Sequence, residues 1–152
     1  IPLVVRGPGF AGGRVAREMV SLVDLPPTVL SAGGVTPPPT MRGRAIQGLL
    51  DESAGDWRNE IFAQISESQV GRALRTERWK YSVRAPDLHG GSIPAAERYA
   101  DDFLYDLDAD PHERTNLLGR AECKSVADEL RARLIERIVH AGEKRPVIQS
   151  AW

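Results

Sequence analysis

Apolar and polar positions alternate with a period of two over three stretches beyond residue 59. In Glu60 to Ser66, Ile61, Ala63 and Ile65 fall on one side. In Trp79 to Arg84, Trp79, Tyr81 and Val83 share one face and Lys80, Ser82 and Arg84 the other. In Phe103 to Leu107, Phe103, Tyr105 and Leu107 alternate with Leu104 and Asp106. Successive side chains of a strand point to opposite faces, so each stretch predicts a strand. Gly71 to Thr76 supplies a fourth, and Glu77-Arg78 predicts a hairpin turn into Trp79. Pro86 to Glu97 is rich in Gly and Pro and reads as a loop.

Elsewhere the period is helical. Cys123, Val126, Ala127, Leu130, Leu134 and Ile138 form an apolar stripe, predicting a long helix over Ala121 to Ala141. Glu129 and Arg133 are spaced for an i,i+4 pair, and Gly142 followed by Pro146 ends the helix. Near the start, Leu3 to Arg6 predicts a buried strand closed by Gly7-Pro8-Gly9. Ser21 to Leu30 predicts the opening of a helix, with Asp24 as cap, prolines in the first turn and Gly33-Gly34 as the stop. The three prolines between Thr36 and Thr40 predict an extended link, and Met41 to Leu50 a loop or single turn. Asp51 to Asp56 is polar, which places the main boundary there: residues 1–50 and residues 51–152. After Leu107, Asp110 as cap, Pro111 at the first helical position and Glu113 in a capping box predict a short helix.

Composition narrows the classes. The chain has 152 residues, with 20 Lys and Arg against 21 Asp and Glu. That length allows one core burying about 70% of the unfolded surface. The near-neutral balance argues against a nucleic-acid partner, which selects a basic face. The longest apolar runs fall far short of the roughly 20 residues that cross a bilayer, so no membrane partner is expected. Cys123 is the single cysteine, which excludes an internal disulfide and a multi-cysteine metal site; it reads as a small buried apolar residue. The chain begins without Met inside an apolar segment. That beginning reads as a truncation, with strand partners supplied from elsewhere or by a second copy in a homo-oligomer.

Four groups of residues bear on chemistry. Gly7-Pro8-Gly9-Phe10-Ala11-Gly12 fits the dinucleotide fingerprint G-x-G-x-x-G, but no helix opens on the loop and no acid ends a second strand about 20 residues on. Pro8 also lacks an N–H donor, so a turn at a strand end is the favoured reading. Asp106, Asp108 and Asp110 have calcium-loop spacing, but Pro111 and Leu117 stand where that loop needs Gly and Glu. His112 and His140 read as structural or solvent-facing. His89 lies in a loop, where recognition residues concentrate, and reads either as exposed or as a substrate contact. Arg72, Arg75, Arg78, Lys80 and Arg84 make the hairpin basic. Such a face attracts a sulfate or phosphate ester, although a solvated outer face with Glu67 and Glu77 nearby is the commoner outcome.

Five motifs in order resemble the closing part of the sulfatase family. They are Ile1-Pro2-Leu3-Val4-Val5-Arg6-Gly7-Pro8-Gly9, Val20 to Leu30 (VSLVDLPPTVL), Gly43-Arg44-Ala45-Ile46, Arg75-Thr76-Glu77-Arg78-Trp79-Lys80-Tyr81, and Leu104-Tyr105-Asp106-Leu107 running through Asp110-Pro111 and Glu113 to Asn116-Leu117. The resemblance implies an alkaline-phosphatase-like α/β fold. This chain would supply the last core strand and helix of the large domain. A C-terminal α+β subdomain would follow, with a small antiparallel sheet of about four strands on a long C-terminal helix. The implied reaction is hydrolysis of a sulfate ester by a formylglycine hydrate beside a divalent cation, usually calcium. A phosphodiesterase or phosphonate hydrolase of the same superfamily and a non-catalytic assembly module are the alternatives.

Formylglycine is made from Cys or Ser in a C/S-x-P-x-R motif. The nearest stretch here, Ser92-Ile93-Pro94-Ala95-Ala96, has Ala where Arg is required. The resemblance therefore assigns no catalytic or metal residue to this chain and no cofactor within it. An upstream catalytic domain of the same protein is the implied partner, and a sulfated small molecule or glycan the implied substrate. His89 and Arg84 are the expected substrate contacts, with the loop Pro86 to Glu97 selecting the organic part.

Overall fold

A computed structural model describes residues 2–50 and 55–152. These fall into two compact units, Ile1–Asn59 and Glu60–Trp152. Most of the stretch expected to hold the boundary, residues 51–54, lies outside the described residues.

The second unit is a five-stranded mixed sheet with a helix on one face. Strands β1 (Glu60–Ser66), β2 (Val70–Thr76), β3 (Trp79–Arg84) and β4 (Arg98–Asp106) are sequential and antiparallel. A fifth strand, β5 (Val147–Gln149), joins β4 in parallel. It is too short to show a period, so alternation could not reveal it. The register lines up Phe62, Leu74, Tyr81 and Leu104 across four strands. Helix α2 (Lys124–His140) lays Ala127, Leu130, Leu134 and Ile138 against that row, and all four are buried. The stripe read from the sequence is therefore the core seam. Cys123 precedes α2 and is half-buried against the same core.

Strand β1 carries a correction. Ile61, Ala63 and Ile65 do share a side, but Phe62 is the residue that packs on the core, and Ile65 is 37% exposed. Alternation separates the two faces of β1 but does not say which turns inward; the pairing of Phe62 with the buried Leu74 decides that.

A β-bulge between β3 and β4 pairs Ser82 with Phe103 but Val83 with Asp101, leaving Asp102 unpaired. The slip puts Asp101 on the helix side. There its carboxylate accepts from the Tyr81 hydroxyl and from Arg131 Nη2 of α2 (2.7 Å). Burial, reinforced by the Asp101 carboxylate, pushes the Tyr81 phenol well above its usual range.

The closing signature is a set of structural bonds. Arg78 grips Asp106 with Nη2 and Nε at 2.7 and 3.0 Å. That contact holds the Asp106 carboxyl below the ordinary carboxylate range. Leu104 N–H donates to Asn116 Oδ1 (3.0 Å), and Leu117 N–H to the Leu104 carbonyl (2.9 Å), so Asn116-Leu117 covers the free edge of β4.

The expected short helix after Asp110 does not form. Asp110 Oδ2 accepts from the N–H groups of Arg114 (2.6 Å) and Thr115 (2.8 Å), one to two residues beyond a helix cap's reach. Glu113 has φ 55°, which breaks a right-handed turn, and its carboxylate goes to Lys80 Nζ at 2.5 Å. His112 accordingly sits in an exposed turn.

In the first unit, a 3-10 turn (Leu22–Asp24) runs into helix α1 (Leu25–Ala32). Gly33 and Gly34 end it as expected, with Val35 N–H bonded to the Leu30 carbonyl (2.9 Å) and Gly34 at φ 74°. A second 3-10 turn (Ile46–Leu49) lies in the stretch read as loop or single turn. Phe10, Ile46 and Trp57 form a small buried cluster.

Two expectations for this unit fail. Leu3 to Arg6 is not a strand: no described residue pairs with it, and Val4 is 93% exposed. An apolar strand of this kind needs neighbours on both sides, and the described residues supply none. Only the turn after it forms, where Phe10 N–H donates to the Gly7 carbonyl (2.8 Å) and no helix follows directly. Asp24 is not an ordinary cap either. Its carboxylate is buried and accepts from the N–H groups of Ser21 and Arg44, both at 2.8 Å, and from both terminal nitrogens of Arg58.

Candidate functional site

The residues singled out for substrate contact lie at the end of β3 and in the loop after it. Arg84 is the last residue of β3, and its Nε stands 3.2 Å from Asp102 Oδ1, the carboxylate freed by the bulge. His89 is exposed in the loop from 86 to 97 and makes no hydrogen bond or ion pair with the described residues.

The basic hairpin is neutralised locally. Arg78 meets Asp106, Lys80 meets Glu113 and Arg84 meets Asp102; Glu67 and Glu77 are not the partners. Arg75 is exposed and donates to the Thr76 carbonyl (3.3 Å). Arg72 corrects the reading of an outer face. It lies between Val70 and Leu74 on the alternation and is buried beside them.

What the sequence reading missed is the group that holds the loop. The Arg72 side chain is 1% exposed. Its Nε and Nη2 donate to the two carboxylate oxygens of Glu143 at 2.9 and 3.0 Å. Nη2 also donates to the Pro94 carbonyl (2.7 Å), and Nη1 to the carbonyls of Gly71 (2.7 Å) and Ile65 (3.3 Å). All five guanidinium N–H groups thus have acceptors, which is what a buried arginine requires. The Pro94 carbonyl accepts a second bond from Ser66 Oγ (2.7 Å), and Gly91 N–H donates to the Ser66 carbonyl (2.8 Å). A Cβ on Gly90 would come within 2.0 Å of the Glu67 carbonyl oxygen, so the loop backbone rests directly on the β1–β2 turn. Tyr99 hydroxyl accepts from Ala96 N–H (3.0 Å), and burial pushes its phenol up. The signal was legible in principle: an Arg in an apolar alternation of β2 is out of place unless a carboxylate meets it.

Among the described residues, the carboxylates with calcium-loop spacing already have other partners. Asp106 is engaged by Arg78, and Asp110 by backbone N–H groups. Among the described residues, no cluster of three His, Cys, Asp or Glu is placed to hold a metal.

The profile of the N-sulphoglucosamine sulphohydrolase C-terminal family matches residues 1–140. The chain belongs to this family. Relatives of this sulphohydrolase domain agree. Arylsulfatase K of Mus musculus is 30% identical over 127 residues, covering 77% of this chain and 21% of its own length. N-acetylglucosamine-6-O-sulfatase of Bacteroides thetaiotaomicron is 26% identical over 135 residues, 86% of this chain and 23% of its own. A protein solved in complex with its substrate, D-glucosamine-2-N,6-O-disulfate, superposes with TM-score 0.65 at 24% identity, over 81% of this chain and 24% of that one. That likeness shows a shared fold. The chain thus corresponds to a C-terminal sulfatase portion and spans between a fifth and a quarter of the length of these relatives.

Proposed function

We propose that this chain is the C-terminal part of an enzyme that hydrolyses sulfate esters, with the reacting groups carried elsewhere in the polypeptide. The match of the sulphohydrolase C-terminal family over residues 1–140 carries the reading. Two further features support it. The exposed large apolar side chains concentrate in the first unit, where Val4, Val15, Leu22 and Val29 are 93, 86, 80 and 70% exposed. Isolated soluble units rarely present that much apolar surface, and a partner surface of the same polypeptide is the natural cover. In addition, arylsulfatase K and N-acetylglucosamine-6-O-sulfatase are named as sulfatases, and the second of these and the neighbour solved with D-glucosamine-2-N,6-O-disulfate name amino sugars. A sulfated sugar is the substrate class this favours, and the loop from 86 to 97, with His89 and Arg84, would border its organic part.

Sulfate-ester cleavage needs a nucleophile and charge stabilisation of the leaving group. Ser92 to Ala96 lacks the arginine of the formylglycine motif. The role of this chain is support and selection. The complete polypeptide, incubated with calcium and 4-nitrophenyl sulfate or bis(4-nitrophenyl) phosphate, should favour the sulfate. A preference for the phosphodiester would move the reading to a phosphodiesterase of the same superfamily. Absence of both activities would favour a non-catalytic assembly module. This chain by itself should turn over neither compound.

A further inference from the structure

The Arg72–Glu143 pair joins two segments 71 residues apart in sequence, and it does so under the loop from 86 to 97. Arg72 comes from the sheet; Glu143 follows α2, where Gly142 at φ 92° turns the chain back. The one loop group this pair binds is the Pro94 carbonyl, which accepts from Arg72 Nη2 while Glu143 takes the adjacent donors. A guanidinium held rigid by a bidentate carboxylate aims its remaining N–H in one direction, so Glu143 orients the donor that Pro94 receives. Ser66 Oγ adds to the same carbonyl, and Gly91 N–H ties the other arm of the loop.

We infer that Arg72 and Glu143 are positioning residues: a buried charge latch that sets the conformation of the loop from 86 to 97 and thereby the selection of the substrate's organic part. The latch rests on the geometry above; its link to selection rests on the proposed sulfatase function. Neither residue touches the substrate. They act through the loop backbone, on which His89 is displayed.

Removing the Glu143 carboxylate strands the buried Arg72 guanidinium, so Glu143→Leu alone is expected to unfold part of the domain. The informative variant is Arg72→Met/Glu143→Leu, since replacing a whole buried pair with apolar side chains of similar volume is often tolerated. In the complete polypeptide, this double variant should unfold cooperatively, as the parent does. Backbone amide exchange across residues 91–97 should rise at least tenfold while the α2 amides keep their protection. KM for a sulfated amino sugar should rise while kcat, and KM for 4-nitrophenyl sulfate, stay unchanged. Unchanged exchange in the loop would overturn the latch. Faster loop exchange with unaltered KM for both substrates would overturn selection by the loop, leaving the latch as a structural device.

Discussion

Arg58 holds Asp24 across 34 residues of chain with two parallel bonds, Nη2 to Oδ1 at 2.7 Å and Nη1 to Oδ2 at 3.0 Å. The Asp24 side chain is completely buried, and Arg58 is 20% exposed. The carboxylate also receives the N–H groups of Ser21 and Arg44, so one side chain ties α1, the Gly43-Arg44 turn and the segment before β1. Thr28 extends the hub: its hydroxyl donates to the Asp24 carbonyl (2.6 Å) and accepts from Ile46 N–H (3.0 Å).

Removing Arg58 leaves a buried carboxylate with only its two backbone donors. Arg58→Met should therefore destabilise the domain by about 3 kcal/mol, the size expected for breaking a buried ion pair. The midpoint of urea unfolding measures it. A shift no larger than that of a surface substitution such as Arg75→Met would show that the hub does not depend on its guanidinium.

Gly43 makes a sharper steric test. A Cβ there would lie 1.7 Å from the Val23 carbonyl oxygen and 2.4 Å from its carbon, both backbone atoms that cannot swing aside. Gly43→Ala should cost about 3 kcal/mol by forcing apart the turn and the start of α1. Gly33→Ala is the control. Its Cβ would meet neighbours no nearer than 3.4 Å at φ −83°, so the thermal midpoint should hardly move.

Acid sensitivity should trace to Glu60. Burial pushes its carboxyl up, but hydrogen bonds and charge from Arg133 and Arg137 of α2 outweigh that and hold it below the ordinary 4.5. The folded state thus binds fewer protons than the unfolded chain in that range. The Glu60 contribution is fully present above about pH 4.5 and is lost as pH falls through the lowered folded value. Glu60→Gln should unfold more easily at pH 7 and lose less stability between pH 5 and pH 3 than the parent. Parallel pH profiles for the two would remove Glu60 from the explanation.

His89 is an exposed side chain of the anchored loop. If the loop selects the organic part of the substrate, His89→Ala in the complete polypeptide should raise KM for a sulfated amino sugar about tenfold, the effect of losing one contact of about 1.4 kcal/mol. KM for 4-nitrophenyl sulfate should stay put. Equal effects on the two substrates would count against selection through this residue.

The outlines of β1 to β3, the closing part of β4, the hairpin turn at Glu77-Arg78, the Gly33-Gly34 stop and the buried stripe of α2 were legible in the residues; the opening of β4 from Arg98 to Asp102 was not. Each depends on the spacing of side chains a few positions apart, which a strand or helix turns directly into a face. The five ordered motifs likewise marked the sulfatase family without a coordinate. Other features depend on partners that lie far apart along the chain. The inward turn of Phe62 is decided by its pairing with Leu74, and the place of Asp101 beside Arg131 by a one-residue slip against β3. The parallel seat of β5, the burial of Asp24 under Arg58 and that of Arg72 against Glu143 also come only from the tertiary structure. A polar or charged residue looks the same in sequence whether water or a distant counter-charge satisfies it. Only the folded chain, which must leave no buried charge unmet, reveals which.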